Sequence, residues 1–324
     1  MLKKETLTKT PVVCLLALIS CFLWGSAVPC IKIGYQLFSI ASDDFPSQLL
    51  FAGIRFTLAG ILVIILGSLL QKKFLVPGKP AWFPIIKLAL IQTFLQYVFF
   101  YMGLAHTSGV KTSIIVASNV FLSILIATLV VRYEKFTFKK CIGCLLGFSG
   151  IVIINLAGGG LDMSLSLTGE GAVFMSALSY SVSSVLIKKY SADENPVLLS
   201  GYQFLLGGIL LSICGLSAGG KLDVPSFAAA ALLFYMAVIS AVAFTLWGIL
   251  LKYNPVSQVS VFGFMNPVFG FLLSAVLLQE RNQAFSFNGL ISLILVCVGI
   301  YIVNKDAKFE SSAHEVSPET RGNG

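Results

Sequence analysis

The chain has 324 residues, of which 57% are hydrophobic and 11% are charged, and its mean hydropathy is +0.92. A soluble domain carries about 25% charged residues because its surface must face water, so this composition excludes a soluble protein and indicates a surface that faces lipid. The net charge of +8 does not indicate nucleic-acid binding, because the basic residues stand in short loops between apolar runs. No nucleic-acid partner is therefore expected.

The amino terminus combines lysines with an apolar run, as a secretion signal does. The run extends from about Pro11 to Ile33, which is longer than the roughly 7–15 residues of a signal-peptide core. We interpret it as an uncleaved first membrane span. The seven cysteines lie in or beside apolar runs, which favours packing roles over a disulfide framework or a metal site. Neither a metal nor a cofactor is expected.

Ten apolar runs reach the length of about 20 residues that a helix needs to cross a bilayer. They are apolar on nearly all sides, as expected for helices that face lipid, and short segments rich in Lys, Asp, Gly and Pro connect them. The predicted fold class is therefore an all-α membrane protein of about ten transmembrane helices. The predicted spans are 11–33, 49–70, 82–105, 110–131, 139–157, 170–189, 196–216, 227–251, 256–278 and 286–303.

The Lys and Arg residues are distributed unevenly over the connections, which sets the orientation of the chain. With the amino terminus in the cytoplasm, seventeen of them lie on the cytoplasmic side. Lys111, Lys221 and Arg281 lie outside, and Lys32 and Arg55 lie within spans. This pattern predicts a multi-pass protein of the inner (cytoplasmic) membrane with both termini in the cytoplasm. The polar segment 305–324 is predicted to be a disordered cytoplasmic tail.

The sequence contains an internal repeat. Residues 51–67 match residues 199–215 at an offset of 148, with 8 of 17 positions identical. Similar offsets pair other spans of the two halves, so we predict repeats at 1–157 and 168–304. Because each repeat has five spans, the second copy enters the membrane from the opposite side. Matched pairs include Gly53/Gly201, Phe56/Phe204, Gly60/Gly208, Gly67/Gly215, Trp24/Tyr180 and Asn119/Asn266.

Inverted repeats give many secondary transporters two conformations from one scaffold, with the substrate site between the repeats. The repeat therefore indicates a transporter. The matched glycines recur every seven residues along one helix face, where they would allow a neighbouring helix to approach closely.

Polar and aromatic residues inside the spans are candidates for substrate contact. Arg55 is the costliest of them, and it either contacts substrate, forms a structural pair or extends to the outer membrane surface. Each aromatic residue is equally compatible with simple packing or an interfacial position. The candidate binding residues are Trp24, Lys32, Arg55, Gln92, Gln96, Tyr97, Tyr101, Asn119, Tyr180, Gln203, Trp247 and Asn266.

Two prolines inside spans are candidate hinges. Pro29 removes the N–H that would bond the carbonyl of Gly25, and Pro267 does the same for Gly263. In lipid, such a carbonyl must be satisfied by protein, water or ligand. Gly25, Pro29, Gly263 and Pro267 are therefore predicted to be hinge positions or ligand acceptors.

Several short motifs are spread over both repeats: Trp24-Gly25-Ser26 with Lys32, Arg55-Phe56, Gly103-Leu104-Ala105, Thr245-Leu246-Trp247, and Asn266-Pro267 with Glu280. With the repeat, they resemble the EamA-type members of the drug/metabolite transporter superfamily over nearly the whole chain, to about residue 304. The resemblance implies two five-helix repeats and transport of small molecules, often outward. The chain departs from the family's usual pattern in two places. Span four has Asn119-Val120 where a proline is usual, and Gln203 occupies the position equivalent to Arg55, so an anion contact would be one-sided.

The expected function is secondary transport of amino-acid-like or other polar or anionic small molecules, by alternating access and in the direction of efflux. No Asp or Glu lies in the middle of a predicted span, so coupling through a buried carboxylate is expected to be weak or absent. Uptake or exchange, a membrane-embedded enzyme acting on lipid-like substrates, and an accessory membrane protein are the alternatives. An enzyme would need a convergent acid–base or metal cluster, whereas the chain has only His106 and His314 as histidines. Expected partners are a small-molecule substrate and the lipid bilayer, and a homodimer is left open.

Overall fold

The computed structural model of the chain describes residues 4–107, 109–156, 166–277 and 287–316. Within these ranges the fold is helical and contains no strand, which confirms the predicted all-α class. After one turn at Lys4–Leu7, ten helical segments occupy the positions of the ten predicted spans. We number them α1 (Thr10–Leu37), α2 (Phe45–Gln71), α3 (Lys79–His106), α4 (Gly109–Leu125 continued by Ile126–Val130), α5 (Phe138–Leu156), α6 (Leu167–Tyr190), α7 (Pro196–Ser217), α8 (Phe227–Tyr253), α9 (Val256–Ser260, Val261–Phe264 and Met265–Leu277 in succession) and α10 (Phe287–Val316).

Seven of these segments, namely α1 to α4 and α6 to α8, are long and apolar enough to cross a membrane when only the described residues are considered. The total of ten crossings stays a prediction. Glu280 and Arg281, which the sequence placed near the end of the ninth span, lie outside the described residues, as do residues 317–324 of the predicted tail.

Side-chain caps and prolines explain where several helices begin. The Asp44 carboxylate accepts a hydrogen bond from the Ser47 N–H (3.1 Å) at the start of α2, and the Asn195 side-chain oxygen accepts one from the Val197 N–H (2.9 Å) at the start of α7. Each cap satisfies a backbone donor that the first turn leaves free. A proline also stands in the first turn of each of these two helices, where it needs no hydrogen bond from its nitrogen.

Helix α1 continues as one helix through Pro29, whereas two other helices depart from regular α geometry within their length. Helix α3 contains a π-helical stretch, Ala89–Leu95, and helix α9 changes to 3₁₀ geometry at Val261–Phe264. Helices α4 and α6 each have a π-helical turn at one end, Ile126–Val130 and Leu167–Gly171. Irregular turns of this kind are frequent at hinges and functional sites.

Helices α2 and α7 pack against each other more extensively than any other two described helices. A Cβ atom placed on Gly53 would lie 2.9 Å from the carbonyl oxygen of Gly208, and one placed on Gly60 would lie 2.7 Å from that of Gly201. The backbones are therefore in contact, which only glycine allows at these positions. Residue numbers fall along α7 as they rise along α2, so the two helices are antiparallel.

Helices α5 and α10 form a second glycine-mediated pair. A Cβ atom on Gly143 would lie 2.8 Å from the carbonyl oxygen of Gly299, and one on Gly150 would lie 2.8 Å from that of Ser292. These helices are antiparallel too. Because each pair joins the equivalent helices of the two halves, the halves run in opposite directions, as the predicted inverted repeat requires.

The other helix contacts obey the same symmetry. Helix α1 packs on α8 and α9, and helix α6 packs on α3 and α4. Exchanging each helix for its counterpart five places along the chain converts the first set of contacts into the second. The two repeats are thus related by a pseudo-two-fold axis that passes between α2 and α7.

The loops meet at two ends of the bundle. At the end that holds the amino terminus, the Asn254 side-chain amide donates a hydrogen bond to the carbonyl of Leu7 (3.1 Å). At the other end, the backbone N–H of Lys221 donates to the Ser47 hydroxyl (3.0 Å). We call these the terminal end and the distal end.

The carboxyl-terminal segment differs from the sequence-based expectation. Helix α10 continues to Val316, although a disordered tail was predicted from residue 305. The Asp306 carboxylate accepts a hydrogen bond from Thr137 and lies 3.5 Å from the Lys139 ammonium. These contacts hold the first turn beyond the predicted boundary against α5. The next residues have good helix propensity, and extending an existing helix avoids the cost of nucleating a new one.

The close approach of α2 and α7 predicts that Gly60→Ala destabilises the fold although alanine favours helices. The added methyl group would press on the α7 backbone, and overpacking of this kind costs about 1–3 kcal/mol. Gly248→Ala is the matched control, because a Cβ atom there meets its nearest neighbour, the Ser200 hydroxyl, at an ordinary 3.5 Å. Thermal unfolding of the purified protein in detergent checks this. Equal melting temperatures for the two variants would show that the α2–α7 contact is looser than described.

Candidate functional site

Arg55 is buried in the middle of the bundle. It is the eleventh residue of α2, about 15 Å from the start of that helix at 1.5 Å per residue, and its relative exposure is 2%. Its Nε and Nη2 atoms donate hydrogen bonds to the Ser240 hydroxyl of α8 at 3.0 and 2.9 Å. Its guanidinium lies 5.0 Å from the centre of the Phe56 ring. The alternative in which Arg55 extends to the membrane surface is therefore wrong.

Arg55 has no carboxylate within 4.0 Å among the residues that the structure describes. A neutral serine hydroxyl is its hydrogen-bond acceptor there, while a guanidinium has five N–H donors to satisfy. Burial of a cation without a counter-charge is strongly unfavourable.

A second polar pair occupies the position related to Arg55 and Ser240 by the repeat. The Gln203 amide donates a hydrogen bond to the Gln92 side-chain oxygen at 2.6 Å, and both residues are 1% exposed. At the offset of 148 positions, Gln203 is the repeat equivalent of Arg55, and Ser240 is the repeat equivalent of Gln92. One pair therefore joins α2 to α8 and the other joins α7 to α3.

Aromatic rings form a continuous network between these two polar pairs. Trp24 has ring-centroid distances of 6.3 Å to Tyr180, 4.8 Å to Phe244 and 5.0 Å to Trp247. Phe244 lies in turn 5.0 Å from Phe204. The predicted residues Trp24, Tyr180 and Trp247 are thus in one cluster.

The network crosses the symmetry axis a second time and continues to further rings of the first repeat. Phe56 and Phe204, which are equivalent residues, stack at 5.5 Å with an interplanar angle of 27°. Tyr97 lies 4.4 Å from Phe56 and 6.2 Å from Tyr101. The predicted pair Tyr97 and Tyr101 therefore borders the same site as Arg55.

Several buried polar atoms in this region have no hydrogen-bond partner among the described residues. Polar atoms in a dry interior are costly unless they are bonded, and in a bilayer the partner must come from protein, water or ligand. Their concentration around the aromatic network indicates a site that receives polar groups from outside the chain. The atoms are Trp24 Nε1, Gln92 Nε2, Thr93 Oγ1, Gln96 Oε1, Gln203 Oε1, Thr245 Oγ1 and Trp247 Nε1.

The structure places other predicted site residues elsewhere. Lys32 is exposed and lies outside the cluster. The backbone carbonyl of Asn119 accepts a hydrogen bond from the Ser181 hydroxyl (2.9 Å), and its side-chain oxygen lies 3.8 Å from the position of a Cβ atom on Gly263. Asn119 therefore lies where α4 packs against α9. Asn266 follows in the same part of α9, and its side-chain oxygen has no partner in the described chain.

The candidate hinges lie in two different environments. Gly25 allows α1 to approach α9 closely, since a Cβ atom there would meet the backbone nitrogen of Gly270 at 2.8 Å. Gly263 lies in the 3₁₀ turn of α9, and Pro267 follows within the next helical turn. In α4, where the usual proline is absent, the equivalent stretch around Asn119 is regular helix.

Sequence reasoning missed Ser240, Tyr35 and Phe244. The repeat offset could have identified Ser240, because it coincides with Gln92 at the offset that relates α2 to α7. Tyr35 lies on α1 and packs against the hydrophobic cluster that contains Phe56 and Tyr101. Nothing in the local sequence distinguishes Tyr35 or Phe244 from the many other aromatic residues of the spans.

Polar contacts bridge the two repeats at both ends of the site. At the terminal end, the Glu134 carboxylate accepts hydrogen bonds from the backbone N–H and the hydroxyl of Ser257, and the buried Lys140 ammonium lies 3.3 Å from it. At the distal end, the Glu170 carboxylate accepts a hydrogen bond from the Thr107 hydroxyl (2.5 Å) and pairs with Lys111 (2.9 Å). A polar contact thus joins the two repeats at each end of the bundle.

Two inverted helical repeats around a buried polar and aromatic site define the class of inverted-repeat membrane transporters. The chain belongs to the EamA-like transporter family, whose model matches residues 11–156 and 167–305. This confirms the family resemblance found in the sequence and identifies the chain as a multi-pass membrane transporter.

Relatives with known names agree with this class. A WAT1-related chloroplast protein of Arabidopsis thaliana is 25% identical, over 87% of this chain and 67% of its own length. The Bacillus subtilis protein named uncharacterized transporter YvbV is 26% identical, over 95% of this chain and 96% of its own. A crystal structure of a protein with 20% identity has a TM-score of 0.74 and covers 91% of this chain. That similarity shows the fold.

The hydrogen bonds of Arg55 predict a specific double-mutant result. Ser240→Ala removes the acceptor and should lower the free energy of unfolding by about 1–3 kcal/mol, because it leaves a buried charged donor unsatisfied. Arg55→Met removes the buried cation and should leave stability unchanged or raise it. In the Arg55→Met background, Ser240→Ala should then cost much less. Melting temperatures of the four proteins in detergent measure this, and an equal loss from Ser240→Ala in both backgrounds would exclude the coupling.

Proposed function

We propose that the chain is a secondary carrier that exports small organic anions across the cytoplasmic membrane by alternating access. The observation that carries this proposal is the buried guanidinium of Arg55, which has a neutral acceptor and no described counter-charge. An anionic group of the substrate completes its hydrogen bonds and neutralises its charge, and charge-assisted pairs of this kind are the strongest hydrogen bonds in proteins. A carboxylate or a phosphate meets this requirement.

The surroundings of Arg55 favour an organic anion over an inorganic ion. The aromatic network around Trp24 and Phe56 offers flat apolar walls, and the unpartnered amides and indoles offer a few directional contacts. This composition is typical of sites for small organic molecules. Amino-acid-like molecules and other small carboxylates are therefore the expected cargo.

Alternating access needs contacts at each end that open in turn. The Glu134–Ser257 contact joins the first repeat to the second at the terminal end, and the Glu170–Thr107 contact does so at the distal end. Breaking one set while keeping the other would open the site to a single side. The 3₁₀ turn of α9 at Gly263, followed by Pro267, is the proposed hinge, because it interrupts a helix that packs on α1, the helix that carries Trp24.

The proposed orientation places the terminal end, and with it both chain termini, in the cytoplasm. Seventeen of the Lys and Arg residues belong to that side in the predicted topology, and cytoplasmic loops carry an excess of positive charge. In this orientation the Glu134 contact closes the cytoplasmic side and the Glu170 contact closes the outer side.

The carrier is proposed to work by facilitated efflux or exchange, without coupling to protons through a buried acid. Two described acidic groups are held in contacts between the repeats: Glu134 in the loop between α4 and α5, and Glu170 in the first turn of α6. A proton-coupled carrier usually has a titratable carboxylate within its spans.

Arg55→Gln should abolish export of the anionic cargo. Cells that overproduce the protein should release one or more organic anions into the medium, and the variant should reduce that release at least tenfold, since hydrogen bonds to a charged group contribute about 1.5–3 kcal/mol. Mass spectrometry of medium and cytoplasm measures the effect. Lys87→Gln is the matched control, because Lys87 is an exposed cation on α3. Undiminished release of every anion by Arg55→Gln would refute the proposal.

Binding can be followed with the native tryptophans. The chain has three: Trp24 and Trp247 in the cluster, and Trp82, which is exposed and lies 5.9 Å from Tyr202. A cargo identified from the export experiment should change the fluorescence of the purified protein, and Trp82→Phe should preserve that change. If the fluorescence change disappears in Trp82→Phe, the ligand binds outside the cluster.

Flux in proteoliposomes should persist when a protonophore removes the pH gradient. Glu170→Gln should alter the rate, because it weakens a contact between the repeats, while the independence from the gradient is retained. The measurement is counterflow of labelled cargo with and without the protonophore. If the flux instead depends strictly on the pH gradient, and Glu170→Gln abolishes that dependence, Glu170 is identified as the coupling group.

A further inference from the structure

The Gln92–Gln203 pair leaves one donor group and one acceptor group unused. The Gln203 amide nitrogen bonds the Gln92 oxygen at 2.6 Å, while Gln92 Nε2 and Gln203 Oε1 have no partner among the described residues. Each of the two side chains is 1% exposed. Bulk water therefore does not reach these atoms, although each needs a hydrogen bond.

This conclusion does not depend on how the two amides are oriented. Nitrogen and oxygen of a glutamine amide are nearly indistinguishable, so orientations follow from the hydrogen-bond network. If both amides are turned over, Gln92 donates to Gln203, and the free groups become the oxygen of Gln92 and the nitrogen of Gln203. In either arrangement the pair presents one free N–H₂ group and one free oxygen.

The backbone next to the pair is irregular in one repeat and regular in the other. Gln92 lies in the π-helical stretch Ala89–Leu95, whereas Ser240, its repeat equivalent, lies in the continuous α-helix Phe227–Tyr253. Thr93 and Gln96 follow Gln92 on α3, and their side-chain oxygens also have no hydrogen-bond partner among the described residues. Both the backbone geometry and the polar atoms therefore distinguish this position from its symmetry mate. A π turn of this kind often marks a functional site.

The pair lies in register with Arg55 across the symmetry axis. Arg55 precedes Phe56 and Gln203 precedes Phe204, and these two rings stack at 5.5 Å. The two polar pairs therefore flank one aromatic stack, with the cation at one side and the amides at the other.

We infer that Gln92 and Gln203 form a second anchoring point that binds a group with an adjacent hydrogen-bond donor and acceptor, such as a carboxamide or a lactam. This inference rests on the proposed function, because it assigns the other end of the same substrate to Arg55. The substrate class is accordingly a flat organic molecule that carries an anionic group at one end and an amide-like edge at the other. The amide pair discriminates between anions that Arg55 alone would accept equally.

Two rigid probes test the inference: 4-carbamoylbenzoate and 4-acetylbenzoate. They share the ring and the carboxylate, but the second has a methyl group in place of the amide N–H₂. Binding to the full-length protein in detergent is measured by tryptophan fluorescence and by calorimetry. We expect the carbamoyl compound to bind at least tenfold more tightly, because a buried site built for a donor and an acceptor loses a bond with the acetyl compound.

The variant Gln92→Leu/Gln203→Leu should remove this preference while it retains carboxylate binding. Replacing both partners of a buried pair by apolar groups of similar shape is nearly neutral for stability, so the protein should fold. Gln71→Leu is the control variant: its side-chain oxygen accepts a hydrogen bond from Asn195 at 2.9 Å in another amide pair, at the terminal end of α2 and α7. It should keep the tenfold preference.

The outcomes separate this inference from the proposed function. If both probes bind the wild type equally well and neither binds Arg55→Gln, the role of the amide pair is overturned. The anion site at Arg55 is then left intact. A preference that survives in the double leucine variant also overturns it. Failure of both probes to bind the wild type overturns the inference as well, and the export experiment with Arg55→Gln then decides the proposed function independently.

Discussion

The backbone contact between α2 and α7 is the constraint on which the rest of the structure depends. Glycines at positions 53, 60, 201 and 208 bring the two helices together in opposite directions, and this contact places the symmetry axis between them. Phe56 and Phe204 then have to meet, because they are equivalent residues next to that axis. The residues that precede them, Arg55 and Gln203, are carried to opposite sides of the stacked rings. The position of the site thus follows from the way the repeats pack.

Function arises where the two repeats differ. A symmetric pair of arginines near the axis would repel each other in a medium of low dielectric constant, whereas one arginine and one glutamine give the site a charged side and a neutral side. The partners differ accordingly, with Ser240 bonded to Arg55 and Gln92 bonded to Gln203. The backbone differs too, since α3 has a π turn where α8 is regular. In the proposed mechanism the duplicated scaffold supplies two conformations, while the differences between the repeats make one side of the site charged and the other neutral.

The sequence predicted the helices and their inverted arrangement, because apolar length and a repeat with five spans are properties of the chain itself. It also predicted that Trp24, Tyr180 and Trp247 would be functional candidates, and the structure brings them together. It did not predict that Arg55 is buried, since the depth of a side chain depends on where its helix begins, and α2 begins at Phe45 and not near residue 49. Predicting that Arg55 pairs with Ser240 would have required both the repeat offset and knowledge of how α8 packs. Lys32 was chosen for its charge within a span and for its place after the Trp24-Gly25-Ser26 motif, and neither determines which face of α1 it occupies.

Arg55 has no carboxylate partner among the described residues, which also bears on how the proposed carrier would turn over. When the site is empty, a conformational change must carry a desolvated cation from one closed arrangement to the other, and burial of an unpaired charge is costly. When an anionic substrate is bound, the charge is neutralised and the same change proceeds without that cost. The loaded carrier would therefore reorient faster than the empty one. A carrier with this property exchanges one anion for another more readily than it returns empty, and it does so without a titratable acid in its spans. The charge that selects the substrate would in this way also set the exchange mode.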